Sequence, residues 1–303
     1  MIGTDRFGQD LTGADPHSVE VWDTAITEVL DFRGDPSERL HELTGTDDAF
    51  VMGLVVTTAG AVLGGDDPLS ESLQTDLAVL EARCGHATER ERAHAGAVAT
   101  LVDGNFTAAA ARWEAIGASH PHDVVATKMA HDIYLHVGDD ARRLQASTAV
   151  IGRLRVGDPG YGVAAGQHAF ALEEVGRYEE AERFGRLALE VDAADVWALH
   201  ALAHVYEMQG RHLEAVEHLR STRADWEERD HLALHLLWHL SLRLIAAAEF
   251  DECLEIFHEQ IDDADRAFGL TDLTSMLWRL ELAGCDVVDL WPLLAGRWRD
   301  HDQ

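Results

Sequence analysis

Lysine is almost absent from this chain of 303 residues: Lys128 is the only one, and arginine supplies the remainder of the 24 basic residues. Against 55 acidic residues, this leaves a net charge of −31. Phosphate backbones and anionic lipids repel a chain with so strong a negative charge. We therefore expect neither a nucleic acid nor a membrane among its partners.

Cysteine, proline and long apolar runs are scarce as well. The three cysteines, Cys84, Cys253 and Cys285, are far apart and form no CxxC pair, which excludes a disulfide framework and a zinc ribbon and fits a reducing compartment. Six prolines and 7% aromatic residues disfavour a β-sandwich or barrel. No run of 18 apolar residues is present and the N-terminus is polar, so we expect a cytoplasmic protein without a transmembrane helix.

A short phrase recurs through the chain at nearly constant spacing. It reads GRYEEA at Gly176–Ala181 and GRHLEA at Gly210–Ala215, with the two glycines 34 residues apart. Looser copies begin at Gly104, Gly138, Ala248 and Gly284. Each copy separates two segments whose apolar residues recur as on one face of a helix. Two helices per repeat of about 34 residues is the tetratricopeptide pattern.

The fold class that follows is all-α, a tetratricopeptide-like right-handed α-solenoid of about seven helix pairs. We predict the repeat array over residues 46–303 and an irregular N-terminal helical cap over residues 1–45. Because the ends of a solenoid expose apolar faces, a homodimer formed through one end is an open alternative to a monomer.

The first helix of each pair lines the concave side of such an array, and counting from the turn glycine identifies its inward positions. These positions carry His, Trp and Glu in several adjacent repeats, and the single lysine faces the same way. The residues that we single out are Lys128, His131, Asp132, Glu173, Trp197, His200, His204, Glu207, His235, Trp238, His239 and Trp278. They predict a concave pocket lined by His, Trp and Glu.

Two blocks, HALAHVYEMQGR (His200–Arg211) and HLLWHLSL (His235–Leu242), resemble the tetratricopeptide repeat protein 38 family. The resemblance extends over residues 125–300 and implies a single-chain helical-repeat fold, without a settled reaction. It implies that the family's signature residues are here His131, Asp132, His200, His204, Glu207, His235, Trp238 and His239. Leu236 departs from the family, which usually has an Asn after the first His of the HxxWH block, and this puts any role of that Asn in doubt.

Two i, i+4 histidine pairs, His200 with His204 and His235 with His239, are candidate metal ligands. Such a spacing puts both imidazoles of a pair on one helix face, so two neighbouring repeats could hold Zn²⁺ or a similar ion. A position left open for water would make this a metal-dependent enzyme. The arrangement is not HExxH, because residue 201 is alanine. We expect no cofactor other than such a metal.

Acid–base catalysis without a metal is the competing use of the same residues. Glu207 or Asp132 would orient a histidine for proton transfer, and the catalytic candidates are His200, His204, Glu207, His235 and His239. The candidates for ligand binding are Lys128, His131, Asp132, Glu173, Trp197, Trp238 and Trp278, with the tryptophans as walls that exclude water.

Lys128 has three interpretations. It forms an ion pair with Asp132 at i+4, or it anchors the carboxylate of a ligand, a role that Arg279 could share, or it forms a Schiff base with a carbonyl compound. We favour the two ion-pair interpretations over the Schiff base.

The function that we expect is recognition of a small molecule or a peptide end in the concave pocket, with or without acid–base chemistry. The competing function is an adaptor scaffold that binds an extended peptide of a partner protein. A metal-dependent enzyme that uses the paired histidines is the second alternative. Whether any reaction is catalysed is left open.

Overall fold

The computed structural model describes residues 2–46, 50–227, 230–262, 264 and 266–301. The chain divides into two compact units, Met1–Ala198 and Leu199–Gln303. Each unit has its own set of helices, and the boundary falls inside the helix Val196–Met208.

The first unit begins with an antiparallel hairpin of two short strands, β1 (Ile2–Thr4) and β2 (Asp10–Thr12). The helices that follow are α1 (Pro16–Asp31), α2 (Pro36–Thr46), α3 (Val51–Leu63), α4 (Glu71–Arg83), α5 (Glu89–Val102), α6 (Phe106–Ser119), α7 (Val124–Val137), α8 (Asp140–Ile151), α9 (Tyr161–Glu174) and α10 (Tyr178–Val191). A 3₁₀ turn, Cys84–His86, follows α4.

The second unit takes most of α11 (Val196–Met208) and the rest of the chain. Its further helices are α12 (His212–Ser221), α13 (Arg223–Trp226), α14 (Asp230–Ala246), α15 (Phe250–Gln260), α16 (Ala267–Leu282) and α17 (Trp291–His301). Within this unit α14 packs against α12, α15 and α16, and α16 packs against α17.

Local sequence signals explain where the helices begin and end. The carboxylate of Asp123 accepts a hydrogen bond from the backbone N–H of Ala126 and so caps the N-terminus of α7. Gly138 ends the same helix with φ of 68°, a left-handed conformation that costs glycine little. Gly210 has φ of 69° at the equivalent place after α11. A residue in the left-handed conformation therefore lets these first helices turn into their partners, and after α14 that residue is Ala248, with φ of 61°.

Packing in the first unit follows the repeat. Helix α5 packs on α6, α6 on α7 and α7 on α8, so each second helix also contacts the next first helix. Ala109 and Ala110 of α6 are fully buried, which lets neighbouring helices approach closely, and Trp113 of α6 is fully buried beside them. Burial of one such large side chain stabilises a fold by about 3 kcal/mol.

The hairpin at residues 2–12 is an element that the sequence did not predict, since we expected only helices in the N-terminal cap. Glu91 of α5 accepts hydrogen bonds from the backbone N–H and the hydroxyl of Thr12, at 2.8 and 2.6 Å. Arg90 donates to the carbonyl oxygen of Asp10 and to the carboxylate of Asp123, both at 2.6 Å. Because buried charged groups are stable only with partners, these contacts bind the hairpin to α5.

The predicted all-α class is confirmed, and the architecture is that of a tetratricopeptide-like helical repeat. From α3 to α17 the described helices form seven consecutive pairs, with the short α13 inserted between α12 and α14. The boundary between a cap and an array at residue 45 stays a prediction. No helix among the described residues has both the length and the apolar character that a membrane span needs.

Candidate functional site

Two neighbouring repeats of the second unit supply four histidines to one site. Helix α11 carries His200 and His204, and helix α14 carries His235 and His239. The i, i+4 spacing puts each pair on one face of its helix, one turn apart. His200 and His239 are buried, whereas His204 and His235 are half-buried. We call these four residues the histidine cluster.

The Nε2 atoms of the histidine cluster converge. Nε2 of His239 lies 3.1 Å from Nε2 of His200, 3.2 Å from that of His204 and 3.2 Å from that of His235. Nε2 of His200 is also 3.1 Å from Nε2 of His235. One ligand atom from each of the four residues lies within 4.8 Å of the others. The rings therefore present four nitrogens to a common centre.

Hydrogen bonding among the rings does not account for this convergence. An imidazole Nε2 carries either one N–H or one lone pair in the ring plane, so it makes one good hydrogen bond. Nε2 of His239 has three such neighbours, so at most one of these contacts is a good hydrogen bond. A cation at the centre would interact favourably with all four lone pairs at once.

The spacing of the nitrogens fits a tetrahedral metal ion. Metal–nitrogen bonds of about 2.0–2.1 Å imply nitrogen–nitrogen separations of about 3.3 Å in a tetrahedron. Four of the six Nε2–Nε2 separations in the histidine cluster are 3.1–3.2 Å. Imidazole is a ligand that suits zinc, copper, nickel and iron. The geometry and the ligand type of the histidine cluster therefore fit a transition metal.

Carboxylates lie behind two of the rings. Nδ1–H of His235 donates to the carboxylate of Asp272 on α16 at 2.8 Å. The carboxylate of Glu207 lies 3.8 Å from Nδ1 of His239 and accepts a hydrogen bond from Arg243. Carboxylates in this position orient metal-binding imidazoles and increase their basicity. Glu207, which we predicted as a catalytic candidate, therefore lies beside the histidine cluster rather than in its centre.

Burial favours the form of the cluster that can bind a metal. It lowers the pKa of His239 well below the usual value of 6.5, and the charges of His204, His235 and Arg243 lower it further. His239 is therefore neutral at pH 7, as a metal ligand must be. The indole of Trp238 stacks on His235, with ring centroids 5.3 Å apart and an interplanar angle of 15°, and covers that side of the cluster.

Several predicted ligand-binding residues form a separate cluster in the first unit. Lys128 forms an ion pair with Asp132 at 2.8 Å, which confirms the favoured i+4 pairing. The same ammonium lies 4.3 Å from the ring centre of Phe32, the residue after α1. Trp197 contacts Phe32 and His131, with ring centroids 5.9 and 4.6 Å apart. The side chain of Phe32 thus occupies the space beside Lys128 that a ligand would take.

Electrostatics stabilises this internal cluster. Burial alone would raise the pKa of Asp132, but the charges and hydrogen bonds of Lys128 and His131 hold it at about 2. Burial lowers the pKa of His131, against the opposing effect of the Asp132 carboxylate. At pH 7 the cluster therefore contains one internal ion pair and a neutral histidine.

Glu173 and Trp278 are the two remaining predicted ligand-binding residues. Glu173 of α9 is buried near Arg143, whose pKa is lowered by burial against the opposing charges of Glu174, Asp140 and Glu173. Trp278 of α16 is 58% exposed and lines a cleft between α16 and α17. Of the predicted ligand-binding residues, only Trp238 borders the histidine cluster within the second unit.

Asp272, Arg243 and Phe32 take part in these clusters although the sequence pattern did not single them out. Asp272 lies three residues before Ser275 on α16, about one helical turn, so the helical period could have indicated that these two side chains share a face. Phe32 lies in the turn after α1, with φ of 52°. No periodicity extends into such a turn, so only the tertiary structure reveals its role.

No family model matches the chain. Among solved structures, the chain is similar to the crystal structure of a Rap protein complexed with competence and sporulation factor. The TM-score is 0.51 at 13% sequence identity, and the match covers 95% of this chain and 94% of that chain. At this identity the similarity shows the fold alone, which is a tetratricopeptide-like helical repeat. The resemblance to the tetratricopeptide repeat protein 38 family stays a prediction.

Proposed function

We propose that this chain is a metal-binding helical-repeat protein. The single observation that supports this function is the convergence of four Nε2 atoms, with four of their six separations at 3.1–3.2 Å. The proposed ligands are His200, His204, His235 and His239. The metal would join two successive first helices of the array, so that binding would stabilise the second unit.

The composition of the site narrows the class of metal and its role. Four neutral nitrogen ligands suit Zn²⁺ or another late first-row ion and do not suit Mg²⁺ or Ca²⁺, which prefer oxygen. Catalytic zinc sites keep one position open, whereas four protein ligands close a tetrahedral site. The ligand set therefore favours a structural or regulatory metal over the metal-dependent enzyme among our alternatives.

Acid–base chemistry by the same histidines remains a prediction that competes with metal binding. A general base needs a ring nitrogen that faces a substrate. In the histidine cluster the four Nε2 atoms face one another, and Nδ1–H of His235 donates a hydrogen bond to the carboxylate of Asp272. This arrangement of the ring nitrogens supports metal binding more than it supports proton transfer to or from a substrate.

Metal titration of the full chain tests the proposal. After removal of metals with a chelator, Zn²⁺ is added in competition with a chromophoric chelator, and Co²⁺ is used as a spectroscopic substitute that reports tetrahedral geometry. We expect one equivalent of tightly bound metal. His204→Asn should weaken Zn²⁺ binding at least about 100-fold, because a closed site loses one of four ligands.

The matched control is His258→Asn, which replaces an exposed histidine of α15 in the same unit and should leave the affinity unchanged. Circular dichroism checks that both variants remain folded. If the chain binds no metal, or if both variants lose affinity equally, the proposed function is wrong.

An adaptor that binds an extended peptide is the second candidate function. The observation that favours it is the fold shared, over 95% of the chain, with a Rap protein that was crystallised with competence and sporulation factor. Selection of a displayed random-peptide library on the immobilised chain tests it. Enrichment of a common motif would support the adaptor, and recovery of no motif would count against it.

A further inference from the structure

A cleft of about 480 Å³ opens between α16 and α17, and none of the four histidines of the histidine cluster lines it. The tryptophans Trp278, Trp291 and Trp298 supply most of its apolar lining, and Ser275 and Arg279 contribute polar groups. Clefts of this size, mostly apolar with a few placed polar groups, are typical of sites for small organic ligands.

Two of the three tryptophans that line the cleft use their N–H groups in hydrogen bonds. Nε1–H of Trp298 donates to the hydroxyl of Thr274 at 3.1 Å, and Nε1–H of Trp291 donates to the carboxylate of Glu281 at 3.1 Å. With these donors used, the two indoles offer flat apolar surfaces. Trp278 adds a third indole that is 58% exposed.

Arg279 supplies the charge of the cleft. Its guanidinium donates to the carbonyl and hydroxyl oxygens of Ser275 and lies 5.8 Å from the ring centre of Trp238. Among the described residues, no carboxylate is within ion-pair distance of Arg279. In a chain with 55 acidic residues, this leaves a cation that can pair with an anion from outside.

We propose that this cleft binds a small organic carboxylate that carries a flat ring. The ring packs against the indoles, and the carboxylate accepts hydrogen bonds from Arg279. The net charge of −31 disfavours a doubly charged phosphate relative to a singly charged carboxylate. The site lies on α16 and α17, and none of the proposed metal ligands lines it.

Calorimetric titration with 2-naphthoate tests the site, and the uncharged 2-naphthamide is the matched ligand. We expect 2-naphthoate to bind, with a change in tryptophan fluorescence, and to bind at least about tenfold more tightly than the amide. Arg279→Gln should remove about tenfold of the affinity for the carboxylate while leaving that for the amide unchanged, because it deletes one charge-assisted contact. Trp278→Ala should weaken the binding of both ligands.

The control variant is Arg266→Gln, which removes an exposed arginine from the N-terminal end of the same helix. It should bind 2-naphthoate as the unaltered chain does. The titrations are repeated with Zn²⁺ and with a chelator. Equal affinities for 2-naphthoate under the two conditions would show that the cleft binds this ligand whether or not a metal is bound.

Two results would overturn the proposal. The first is equal affinity of the unaltered chain and the Arg279→Gln variant for 2-naphthoate, or no binding of 2-naphthoate at all. The second is sedimentation of the chain as a dimer that Trp278→Asp dissociates, because the indoles would then be covered by a second copy rather than by a ligand.

Discussion

Asp272 accepts a hydrogen bond from Nδ1–H of His235 at 2.8 Å. Because a carboxylate can only accept, this contact places the proton of a neutral His235 ring on Nδ1 and leaves the lone pair on Nε2. That lone pair lies 3.1 and 3.2 Å from Nε2 of His200 and His239. Asp272 of α16 thus favours the tautomer of the His235 ring on α14 that can bind a metal through Nε2.

Asp272→Asn tests this relationship. The amide oxygen can still accept the hydrogen bond from His235, but the negative charge behind the ring is lost. We expect the affinity for Zn²⁺ to fall about 10- to 100-fold, as for other outer partners of metal-binding histidines. Chelator competition measures the change. Asp289→Asn, an exposed position after α16, is the control, and an unaltered affinity in both variants would contradict the role of Asp272.

Metal affinity should fall as the pH falls, because protons compete with the metal for each imidazole. Histidine has an unperturbed pKa near 6.5, so we expect a constant affinity above about pH 7.5 and a steep loss below about pH 6. Burial lowers the pKa of His239, so this ring should protonate last. Chelator competition from pH 5 to 8 gives the profile, and a flat profile would argue against histidine ligands.

Lys128→Met should destabilise the first unit. It removes the partner of Asp132, whose pKa of about 2 lies below the usual 3.8, so the ion pair stabilises the fold above about pH 4 and its contribution is lost as the pH falls towards 2. Leaving this half-buried carboxylate without its ammonium partner costs about 3 kcal/mol. Urea denaturation at pH 7 measures the loss.

The double variant Lys128→Met, Asp132→Asn is the matched comparison for this prediction. It removes both charges, so it should recover part of the stability that the single variant loses. A single variant as stable as the unaltered chain would show that Lys128 does not balance a buried charge.

Asp195→Asn should change how stability depends on pH. Burial raises the pKa of Asp195 to about 7, and the charges of Asp192 and Asp31 raise it further. A carboxyl group with a raised folded-state pKa binds more protons in the folded than in the unfolded state, so stability falls as the pH rises from about 4 to 7. The Asn side chain can still accept the hydrogen bond from the backbone N–H of Ala198.

The variant should therefore melt at a higher temperature than the unaltered chain at pH 8 and at nearly the same temperature at pH 4.5. Thermal unfolding followed by circular dichroism at the two pH values measures this. A difference between the two proteins that is independent of pH would mean that Asp195 does not titrate in this range.

Several elements of the site follow from the order of residues alone. The i, i+4 pairs His200 with His204 and His235 with His239 had to share helix faces, because the helical period is a local property of the backbone. The turn glycine at Gly210 marked the end of α11, and the i+4 spacing of Lys128 and Asp132 indicated their ion pair. Each of these inferences needs only residues within one helix or one turn.

The sequence by itself determined the all-α class, the helix pairs and the histidines that share a helix face, because periodicity and turn chemistry act over a few residues. Only the tertiary structure brought four Nε2 atoms together and added Asp272 to them, since these groups come from three helices. The tertiary structure also places the ring of Phe32 beside Lys128, although Phe32 belongs to a turn more than ninety positions earlier in the chain. Such distances depend on how helices pack against one another, and packing depends on all the side chains between them.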